Sequence, residues 1–475
     1  MSESHPATVI ILAAGEGKRM KSRIPKVLHP LCGRSMLGHA VAAAQELEPA
    51  SLVVVTGHGR DQVTPAVTQD APEARVVVQD PQLGTGHAVR MVTETVGSLV
   101  GTVVVTYGDM PLLRASTLSD LIGTHHRSGN AATVLTARGD SQGYGRIVRD
   151  ADGAFLKIVE EKDASPAERQ IDEYNSGCYA FDGALLSDVI KRITANNAQQ
   201  EEYLTDAIAI LRTDGHLVGT AEGDATEILG INDRVQLATA RREFNHRILE
   251  EHMRNGVTIV DPVSTWIDVT VTIGQDSEIR PHTQLEGATR VGAGAKIGPE
   301  TVLTDTTVED DAEISHTVAK SAEVGPEATV GPYAYLRPGT RIGQNAHIGC
   351  HVELKNSTVG TGAKVPHLTY VGDAEVGDRA NIGAGTIFAN YDGQNKHRTT
   401  VGEDSFVGSN TVLVAPVTVE PGAYTAAGSA VDEDVPSGAL GIARGRQHNS
   451  QGWVERRRPG TRTAETAANR RSGKD

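Results

Sequence analysis

The 475-residue sequence has no long hydrophobic run and few cysteines. No apolar stretch approaches the ~18 residues that a membrane-spanning helix requires, so we expect no membrane span. Cys32, Cys178 and Cys350 are scattered without the spacing of metal ligands, which favours a reducing, cytoplasmic location. The segment from Met1 to Pro6 is too short and too polar for a signal peptide.

Aromatic residues are also scarce, at 4%, and the net charge is −15. A core with so few rings is expected to consist of stacked Val, Ile and Leu. The acidic balance argues against bulk nucleic-acid binding and is compatible with metal-assisted chemistry on phosphates. Because the chain is too long for one hydrophobic core, we expect two or three domains.

What the sequence does contain is a six-residue repeat of aliphatic side chains from about Ile273 to Val431. A small residue, most often Gly, commonly follows the aliphatic one. Helices repeat at 3.6 residues and strands at 2, so this period indicates a parallel β-helix of hexapeptides. The residues expected to point inward are Ile273, Ile279, Leu285, Val291, Ile297, Leu303, Val324, Val330, Leu336, Ile342, Ile348, Leu354, Val371, Ile382, Val401, Val407, Leu413 and Val419.

The N-terminal part alternates continuous apolar runs with helical stretches such as Met36–Leu47 and His87–Val96. This alternation predicts a doubly wound α/β sheet, in which ligands lie at the carboxyl ends of the strands. Buried strands are predicted at Thr8–Ala14, Leu52–Thr56, Arg75–Gln79, Thr102–Tyr107 and Ile228–Ile231.

The first strand runs into the loop Gly15-Glu16-Gly17-Lys18-Arg19-Met20. A lone G-x-G is weak evidence, and a dinucleotide site would need a third glycine where Met20 stands. The full string Leu12–Met20, followed by Pro25-Lys26, instead resembles the signature of sugar nucleotidyltransferases. Small residues there let backbone N–H groups approach a base and phosphates, while Arg19 and Lys26 meet the triphosphate.

Two strand ends carry hard oxygen ligands. Asp109 follows Tyr107-Gly108, and Asn232 follows Ile228–Ile231; such oxygens suit a Mg²⁺ that keeps several waters and binds substrate phosphates. Helix capping is the alternative for each, less favoured for Asp109 and compatible with metal binding for Asn232. The polar segments Gly143–Arg146, Glu160–Lys162 and Tyr174–Gly177 indicate only loops by themselves.

The remaining features set the expected domain organisation. An amphipathic helix is predicted from Asp233 to Asn255, and the hexad register is interrupted at 365–370 and 390–396, where solenoid irregularities tend to carry function. We expect a nucleotidyltransferase domain at 1–232, a linker helix at 233–256, a β-helix at 257–445, and a basic tail at 446–475 that is largely disordered from about 459.

Taken together, these motifs closely resemble one bacterial family, the bifunctional N-acetylglucosamine-1-phosphate uridyltransferases/glucosamine-1-phosphate acetyltransferases. The likeness runs from about residue 7 to about residue 458. It implies an α/β doubly wound nucleotidyltransferase domain followed by a left-handed parallel β-helix. The motifs that carry it are Leu12–Met20, Lys26, Leu83–Thr85, Tyr107–Asp109, Tyr144-Gly145, Asn232, Arg337, Lys355, His367–Tyr370, Asn381–Thr386 and Asn390–Gly393.

The resemblance also implies the reactions and the partners. The C-terminal domain would acetylate glucosamine 1-phosphate with acetyl-CoA. The N-terminal domain would then transfer a uridylyl group from UTP to N-acetylglucosamine 1-phosphate, with Mg²⁺ as cofactor and release of pyrophosphate. The product would feed peptidoglycan precursor synthesis. Family members are cytoplasmic homotrimers with acetyl sites between subunits, and no nucleic acid or membrane is implied as a partner.

For the uridylyl step, the sugar phosphate is already an anionic nucleophile, so positioning, Mg²⁺ and cations matter more than a strong base. The resemblance assigns Mg²⁺ to Asp109 and Asn232 and the triphosphate to Arg19 and Lys26. It assigns UTP and UDP-N-acetylglucosamine to Leu12, Ala13, Ala14, Gly15, Lys26, Gln79, Gly84, Thr85, Tyr107, Gly108, Asp109, Gly145, Glu160, Asn175 and Asn232.

For the acetyl step, a protonated amine must lose a proton before it attacks a thioester, and a histidine, with an ordinary pKa near ~6.5, suits that role. The resemblance gives this role to His367, for which capping of a coil is the alternative. It assigns the sugar phosphate to Arg337, Lys355, Tyr370 and Asn381. It assigns acetyl-CoA to Ala384, Asn390, Tyr391, Ser409, Ala427 and Arg444, with Asn390 and Tyr391 also lining the sugar and base site.

Two other functions remain open at this point. An enzyme similar to ADP-glucose pyrophosphorylase would use its solenoid for regulation, but it would lack the elements His367–Tyr370 and Asn390–Gly393. The presence of Asp109, Asn232, Lys26 and His367 argues against a non-enzymatic nucleotide-sugar sensor or scaffold.

Overall fold

The computed structural model describes residues 6–197 and 199–473. The chain forms two compact units: Met1–Gln275 with Pro281–Thr289, and Asp276–Arg280 with Arg290–Asp475. The expectation about a signal peptide falls mostly on residues 1–5, and the end of the predicted tail on 474–475; these residues lie outside the described part. The domain limits predicted at 232, 256 and 445 stay predictions.

The helices and the longer strands all belong to the first unit, apart from two helices near the C-terminus. The strands are β1 (Thr8–Ala13), β2 (Pro30–Leu31), β3 (Arg34–Ser35), β4 (Ser51–Thr56), β5 (Arg75–Val78), β6 (Thr102–Tyr107), β7 (Ala132–Arg138), β8 (Arg146–Arg149), β9 (Phe155–Val159), β10 (Glu173–Asp182) and β11 (Val218–Glu222). The helices are α1 (Met36–Gln45), α2 (Arg60–Asp70), α3 (Thr85–Val96), α4 (Ala115–Ser128), α5 (Gly183–Val189), α6 (Thr205–Thr213) and α7 (Arg234–Arg254), with 3₁₀ turns at Lys18–Met20, Lys26–Leu28, Glu168–Gln170 and Ile190–Arg192.

The sheet of the first unit follows the order β11-β7-β10-β6-β1-β4-β5. Strand β1 is parallel to both β4 and β6, and β10 runs antiparallel between β6 and β7. All six residues of β1 are buried, because helices cover both faces of the sheet and form a separate apolar core on each. The predicted α/β fold is therefore confirmed, and β1, β4, β5 and β6 end at one edge.

Three local expectations were wrong. Ile228–Ile231 is not a strand; its end is held by a bond from the Ile231 amide to the Asp109 carbonyl (2.9 Å). Tyr174–Gly177 is not a loop but part of β10, with an irregular register between Asn175 and Tyr179. The N-cap of α7 is Asp233, which accepts from two backbone N–H groups, so Asn232 has no capping role.

The short strands belong to the solenoid. They are β12 (Thr258–Ile259), β13 (Trp266–Ile267), β14 (Thr272–Ile273), β15 (Glu278–Ile279), β16 (Gln284–Glu286), β17 (Arg290–Val291), β18 (Lys296–Ile297), β19 (Val302–Thr304), β20 (Thr307–Val308), β21 (Glu313–Ile314), β22 (Val318–Lys320), β23 (Glu323–Val324), β24 (Thr329–Val330), β25 (Tyr335–Leu336), β26 (Arg341–Ile342), β27 (His347–Cys350), β28 (Glu353–Lys355), β29 (Thr358–Val359), β30 (Lys364–His367), β31 (Tyr370–Gly372), β32 (Ala374–Val376), β33 (Asn381–Ile382), β34 (Ile387–Ala389), β35 (Thr399–Val401), β36 (Phe406–Val407), β37 (Val412–Val414), β38 (Val417–Val419), β39 (Tyr424–Thr425), β40 (Ala430–Val431) and β41 (Leu440–Gly441).

In the second unit these strands form three parallel faces, each joining every third strand. Face 1 contains β15, β18, β21, β24, β27, β30, β33, β36, β39 and β41; face 2 contains β19, β22, β25, β28, β31, β34, β37 and β40; face 3 contains β17, β20, β23, β26, β29, β32, β35 and β38. Aliphatic side chains stack inside: on face 1, Ile297, Ile314, Val330 and Ile348 pair in succession and are all buried. This confirms the predicted parallel β-helix.

The basic tail differs from the expectation of disorder after about residue 459. It contains α8 (Trp453–Arg457) and α9 (Arg462–Arg471). Thr461 caps α9 by accepting from the Ala464 amide, alanines inside α9 favour the helix, and Arg471 pairs with Glu455 of α8 at 3.4 Å. Among the described residues, none of the helices is both long enough and apolar enough to cross a membrane.

Candidate functional sites

A cleft of about 790 Å³ opens at the edge of the first unit's sheet where β1, β5 and β6 end. All the predicted nucleotide-site residues except Gly108 line it: Leu12, Ala13, Ala14, Gly15, Arg19, Lys26, Gln79, Gly84, Thr85, Tyr107, Asp109, Gly145, Glu160, Asn175 and Asn232. Gly108 is bonded to the strand that carries the lining residues. Its amide donates to the Leu12 carbonyl (3.0 Å), and a Cβ at this position would lie 2.9 Å from Leu37. The topology thus gathers residues that are far apart in sequence.

The polar centre of the cleft is formed by Lys26, Asp109 and Asn232. The Lys26 ammonium group bonds to the Asp109 carboxylate and donates to Asn232 Oδ1 at 3.3 Å. The Lys26 and Asp109 side chains are only 12% and 19% exposed, so each charge depends on the other. The Asp109 carboxylate and Asn232 Oδ1 both already face a cation, the Lys26 ammonium group. This donor set therefore fits a Mg²⁺ bound largely through waters and phosphates. No group of three or more acidic, His or Cys residues that could hold a metal by itself occurs in residues 6–197 and 199–473.

The glycine loop owes its shape to Gly17 rather than Gly15. Gly17 has φ +66°, and a Cβ there would lie 2.5 Å from Lys26 Cβ, whereas a Cβ at Gly15 would meet nothing within 4 Å. Only glycine combines that backbone conformation with so close an approach. Gly17 therefore sets the position of Lys26, and Arg19 projects at the mouth of the cleft, exposed to solvent.

One wall of the cleft comes from a segment that the sequence analysis missed. The Glu202 backbone bonds to the Leu83 carbonyl and the Gly86 amide, each at 2.7 Å, and Thr85 Oγ1 accepts from the Leu204 amide. This brings Gln199, Glu201, Tyr203 and Thr205 to the cleft. Their sequence carries no motif, so only the tertiary pairing could find them.

The adjoining wall contains Gly145, Glu160 and Asn175, and Glu160 accepts a hydrogen bond from Thr205 (3.2 Å). The Asn175 side chain accepts a hydrogen bond from the Gly177 backbone amide (2.9 Å) and donates one to the Tyr179 hydroxyl (2.8 Å). The backbone amide of Asn175 donates to the Gly145 carbonyl. Burial raises the pKa of the Glu160 carboxyl, and nearby acidic groups raise it further. A hydrogen bond from Thr205 lowers this pKa but does not cancel the rise. These three residues form a fixed polar surface with one carboxyl that protonates more readily than usual.

A second cluster lies on face 2 of the solenoid. Arg337 donates to Glu353 (2.9 Å), the register partner of Tyr370, and Lys355 lies 3.8 Å from Asp373. Asp373 also accepts from Asn356 and Asn390. Although burial opposes it, these bonds and the lysines lower the pKa of Asp373. The result is a ring of cations and amides around one carboxylate.

Lys396, in the polar insertion, joins this cluster and was missed as a site residue. The neighbouring Lys355 lowers the pKa of Lys396, first through a hydrogen bond and then through its charge. The insertion folds back on itself, because Tyr391 bridges to Lys396 and the His397 amide bonds to the Asn390 carbonyl (2.8 Å). Two ammonium groups held this close favour an anion between them.

His367 and Asn381 lie on face 1, away from the ring around Asp373. The His367 carbonyl accepts from Thr369 (2.7 Å) and from the Gly385 amide, which fixes the backbone, whereas the imidazole is exposed. No hydrogen bond from this ring to another described residue is found within 6–197 and 199–473. The imidazole is therefore available to a ligand, and it does not cap its coil.

The residues assigned to acetyl-CoA follow one corner of the solenoid. The Asn410 amide bonds to the Ala384 carbonyl (2.7 Å), and the Gly428 amide to the Ser409 carbonyl (2.8 Å), so successive coils place these positions above one another. A Cβ on Gly408 would lie 2.5 Å from the Ala427 amide nitrogen, and Arg444 packs beside Gly428. Ala384, Ser409, Ala427 and Arg444 thus line one continuous ridge, separate from Asn390 and Tyr391.

The α/β cleft and the hexapeptide solenoid define a class of protein, a nucleotidyltransferase joined to a hexapeptide acyltransferase. A family model described as the MobA-like NTP transferase domain matches residues 9–175, and one described as bacterial transferase hexapeptide (six repeats) matches residues 321–356. A solved structure of UDP-glucose pyrophosphorylase complexed with UDP-glucose aligns with a TM-score of 0.42 and 16% identity over 51% of this chain and 99% of that chain, too weakly to carry an argument.

Full-length relatives identify the family. The bifunctional protein GlmU of Thermobifida fusca is 59% identical over 99% of both chains, and that of Streptomyces avermitilis is 56% identical over 100% of both. The bifunctional protein GlmU of Mycolicibacterium vanbaalenii is 53% identical over 96% of this chain and 94% of that one. The chain belongs to the GlmU family, and it is a bifunctional enzyme with uridyltransferase and acetyltransferase activities.

Proposed function

We propose that the cleft of the first unit is the uridyltransferase site. It would bind UTP and N-acetylglucosamine 1-phosphate and release pyrophosphate with UDP-N-acetylglucosamine. The observation that carries this is the joint placement of Lys26, Asp109 and Asn232 beside the glycine loop. Arg19 and Lys26 would bind the triphosphate, and the wall of Gly145, Glu160 and Asn175 would hold the sugar.

Mg²⁺ would be held by Asp109 and Asn232, whose oxygens are hard ligands. Asp109 follows the buried strand β6, and the bond from the Ile231 amide to the Asp109 carbonyl keeps Asn232 close to it. When bound, the ion neutralises charge on the triphosphate during in-line transfer. The protein's own part is to bind and orient both substrates, since the sugar phosphate needs no strong base.

The solenoid would carry the acetyltransferase site. Arg337, Lys355 and Lys396 supply cations for the phosphate of glucosamine 1-phosphate, and Tyr370 lies beside them. The exposed imidazole of His367 would take the proton from the amine, and the ridge from Ala384 to Arg444 would bind coenzyme A. The product would pass to the uridylyl step, and the final sugar nucleotide would serve peptidoglycan precursors in the cytoplasm.

We further propose a homotrimer in which subunits share each acetyl site. In one chain, Asn381 and His367 lie on face 1, while Arg337 and Lys355 lie on face 2, and the coenzyme A ridge follows a corner. Large apolar side chains on faces 1 and 2 are exposed, among them Tyr335, Phe406 and Tyr424, which is typical of a surface that a partner covers. A neighbouring copy would complete the pocket.

One assay tests the function as a whole. The protein is incubated with glucosamine 1-phosphate, acetyl-CoA, UTP and Mg²⁺, and free thiol and pyrophosphate are followed together. Thiol should appear first and pyrophosphate after a lag, because the acetylated sugar is the second substrate. Pyrophosphate release without prior thiol release would contradict the proposed order.

A further inference from the structure

The side-chain amide of Gln79 is held at the end of β5 by two contacts. Its Nε2 atom lies 2.8 Å from the Gly84 carbonyl oxygen and 3.1 Å from His87 Nδ1. Gln79 is 3% exposed, its backbone amide bonds to the Thr56 carbonyl (2.8 Å), and it lines the nucleotide cleft. The amide is therefore fixed in place at the wall of the cleft.

These contacts determine which end of the amide is which. A backbone carbonyl only accepts hydrogen bonds, so the atom 2.8 Å from the Gly84 oxygen is the NH₂ nitrogen; the flipped amide would bring two oxygens together. The second N–H of this nitrogen is directed at His87 Nδ1, which must then accept. His87 accordingly carries its proton on Nε2 and is neutral.

The surroundings of His87 maintain that neutral form. The residue is 4% exposed in α3, and burial, followed by the charge of Arg90, lowers its pKa, while Glu202 and Glu94 act in the opposite direction. Protonation would turn Nδ1 into a donor facing the Gln79 NH₂ group. Flipping the amide to avoid that conflict would place its oxygen against the Gly84 carbonyl, so both contacts favour one orientation.

With both N–H groups engaged, Oε1 is the polar atom of the Gln79 side chain that is left to bind a ligand in the cleft that Gln79 lines. No hydrogen bond to Oε1 is found in the described part of the chain, residues 6–197 and 199–473. An amide oxygen accepts and cannot donate. Uracil and thymine carry a donor, N3–H, between their two carbonyls, whereas the N3 of cytosine is an acceptor. The same oxygen that pairs with N3–H would repel an unprotonated N3.

We propose that His87 is a positioning residue that fixes the orientation of the Gln79 amide and thereby selects a pyrimidine nucleotide with an N3–H donor over one without it. The inference rests on the proposed uridyltransferase site. It assigns to His87 no contact with the substrate, only control of the group that makes the contact. A site built around one hydrogen bond discriminates strongly against a ligand that cannot make it.

The test compares kcat/KM for UTP and CTP in pyrophosphate release. Wild type should prefer UTP strongly. His87→Leu, which removes the acceptor, should lower the UTP/CTP ratio at least about tenfold, whereas His87→Asn, whose side-chain oxygen can still accept, should keep most of it. Val92→Ala, a buried change elsewhere in α3, controls for general loosening and should leave the ratio unchanged. If His87→Leu fails to fold, His87→Met serves the same purpose.

A double mutant separates positioning from packing. In a Gln79→Ala background the ratio should already be low, and adding His87→Leu should change it no further. An unchanged ratio in His87→Leu, or an equal fall in the Gln79→Ala background, would overturn the inference. A wild type that turns over UTP and CTP equally would also overturn it, while leaving the uridyltransferase site in place. No pyrophosphate release from UTP by wild type would refute the proposed site, and the inference with it.

Discussion

Lys26 and Asp109 are bonded to each other across 83 residues of sequence, at the centre of the nucleotide cleft. The pair forms because β1 and β6 are neighbours and parallel, so the segments after them meet at one edge of the sheet. Asn232 reaches the same lysine because the Ile231 amide is tied to the Asp109 carbonyl. The proposed chemistry of this site depends on the contacts that hold Lys26, Asp109 and Asn232 together.

Asp109→Asn should reduce pyrophosphate release by orders of magnitude while thiol release persists. The change removes the carboxylate assigned to Mg²⁺ and leaves the largely buried Lys26 ammonium group without its counter-charge. Asp61→Asn, an exposed change in α2, is the matched control. Pyrophosphate release is measured over a range of Mg²⁺ concentrations. Unchanged uridyltransferase activity in the Asp109 variant would place the metal site elsewhere.

Lys396→Ala should raise the KM for glucosamine 1-phosphate about tenfold with a smaller effect on kcat, because a cation for the phosphate is lost. Lys396 and Lys355 approach each other closely, so their charges repel each other until an anion binds. Lys320→Ala, an exposed lysine on the same face, should behave like wild type. Equal KM values for the two variants, measured by thiol release, would remove Lys396 from the site.

Gly372→Ala should impair acetyl transfer and spare uridylyl transfer. A Cβ at this position would lie 2.4 Å from the Tyr370 hydroxyl and 2.7 Å from Asn390 Nδ2, so the tyrosine must move out of the cluster. The uridyltransferase activity of the same preparation reports whether the protein is folded. Wild-type thiol release from this variant would mean that the position of Tyr370 is unimportant for the reaction.

Subunits carrying His367→Ala and subunits carrying Arg444→Ala should partly restore acetyl transfer when they are dissociated and reassembled together. If the two residues of one site come from different subunits, some mixed sites contain both intact residues. Each variant reassembled alone is the control, and uridyltransferase activity should be indifferent to the mixing. Persistent inactivity of the mixed assemblies, or a monomeric mass for the active enzyme, would count against the shared site.

The overall architecture could be predicted from local periodicity, since an inward aliphatic residue every sixth position or a buried apolar strand leaves a direct mark on the sequence. Tyr174–Gly177 was predicted as a loop because its residues are polar. Its polar groups are instead hydrogen-bonded inside the sheet, as in the bond from Asn175 to Tyr179. Ile228–Ile231 is apolar like a strand, yet its backbone is held outside the sheet by bonds from the Ile231 amide to the Asp109 carbonyl and from the Gly230 amide to the Tyr144 hydroxyl. Apolar character alone did not distinguish these cases.

The site residues that were missed share a cause. Tyr203 reaches the cleft only because the Glu202 backbone pairs with Leu83 and Gly86, and Lys396 approaches Lys355 only because the insertion folds back. Neither arrangement is encoded by spacing along the chain. A Cβ on Gly108 would lie 2.9 Å from Leu37, and the contact of Gly108 with the nucleotide, which the resemblance implies, stays a prediction.

The central claim is that one chain holds two separate active sites, and reciprocal variants test it most directly. His367→Ala and Asp109→Asn are each assayed for thiol release from acetyl-CoA with glucosamine 1-phosphate, and for pyrophosphate release from UTP with supplied N-acetylglucosamine 1-phosphate. We expect His367→Ala to lose thiol release and keep pyrophosphate release, and Asp109→Asn to show the reverse. Loss of both reactions in either folded variant would contradict the account.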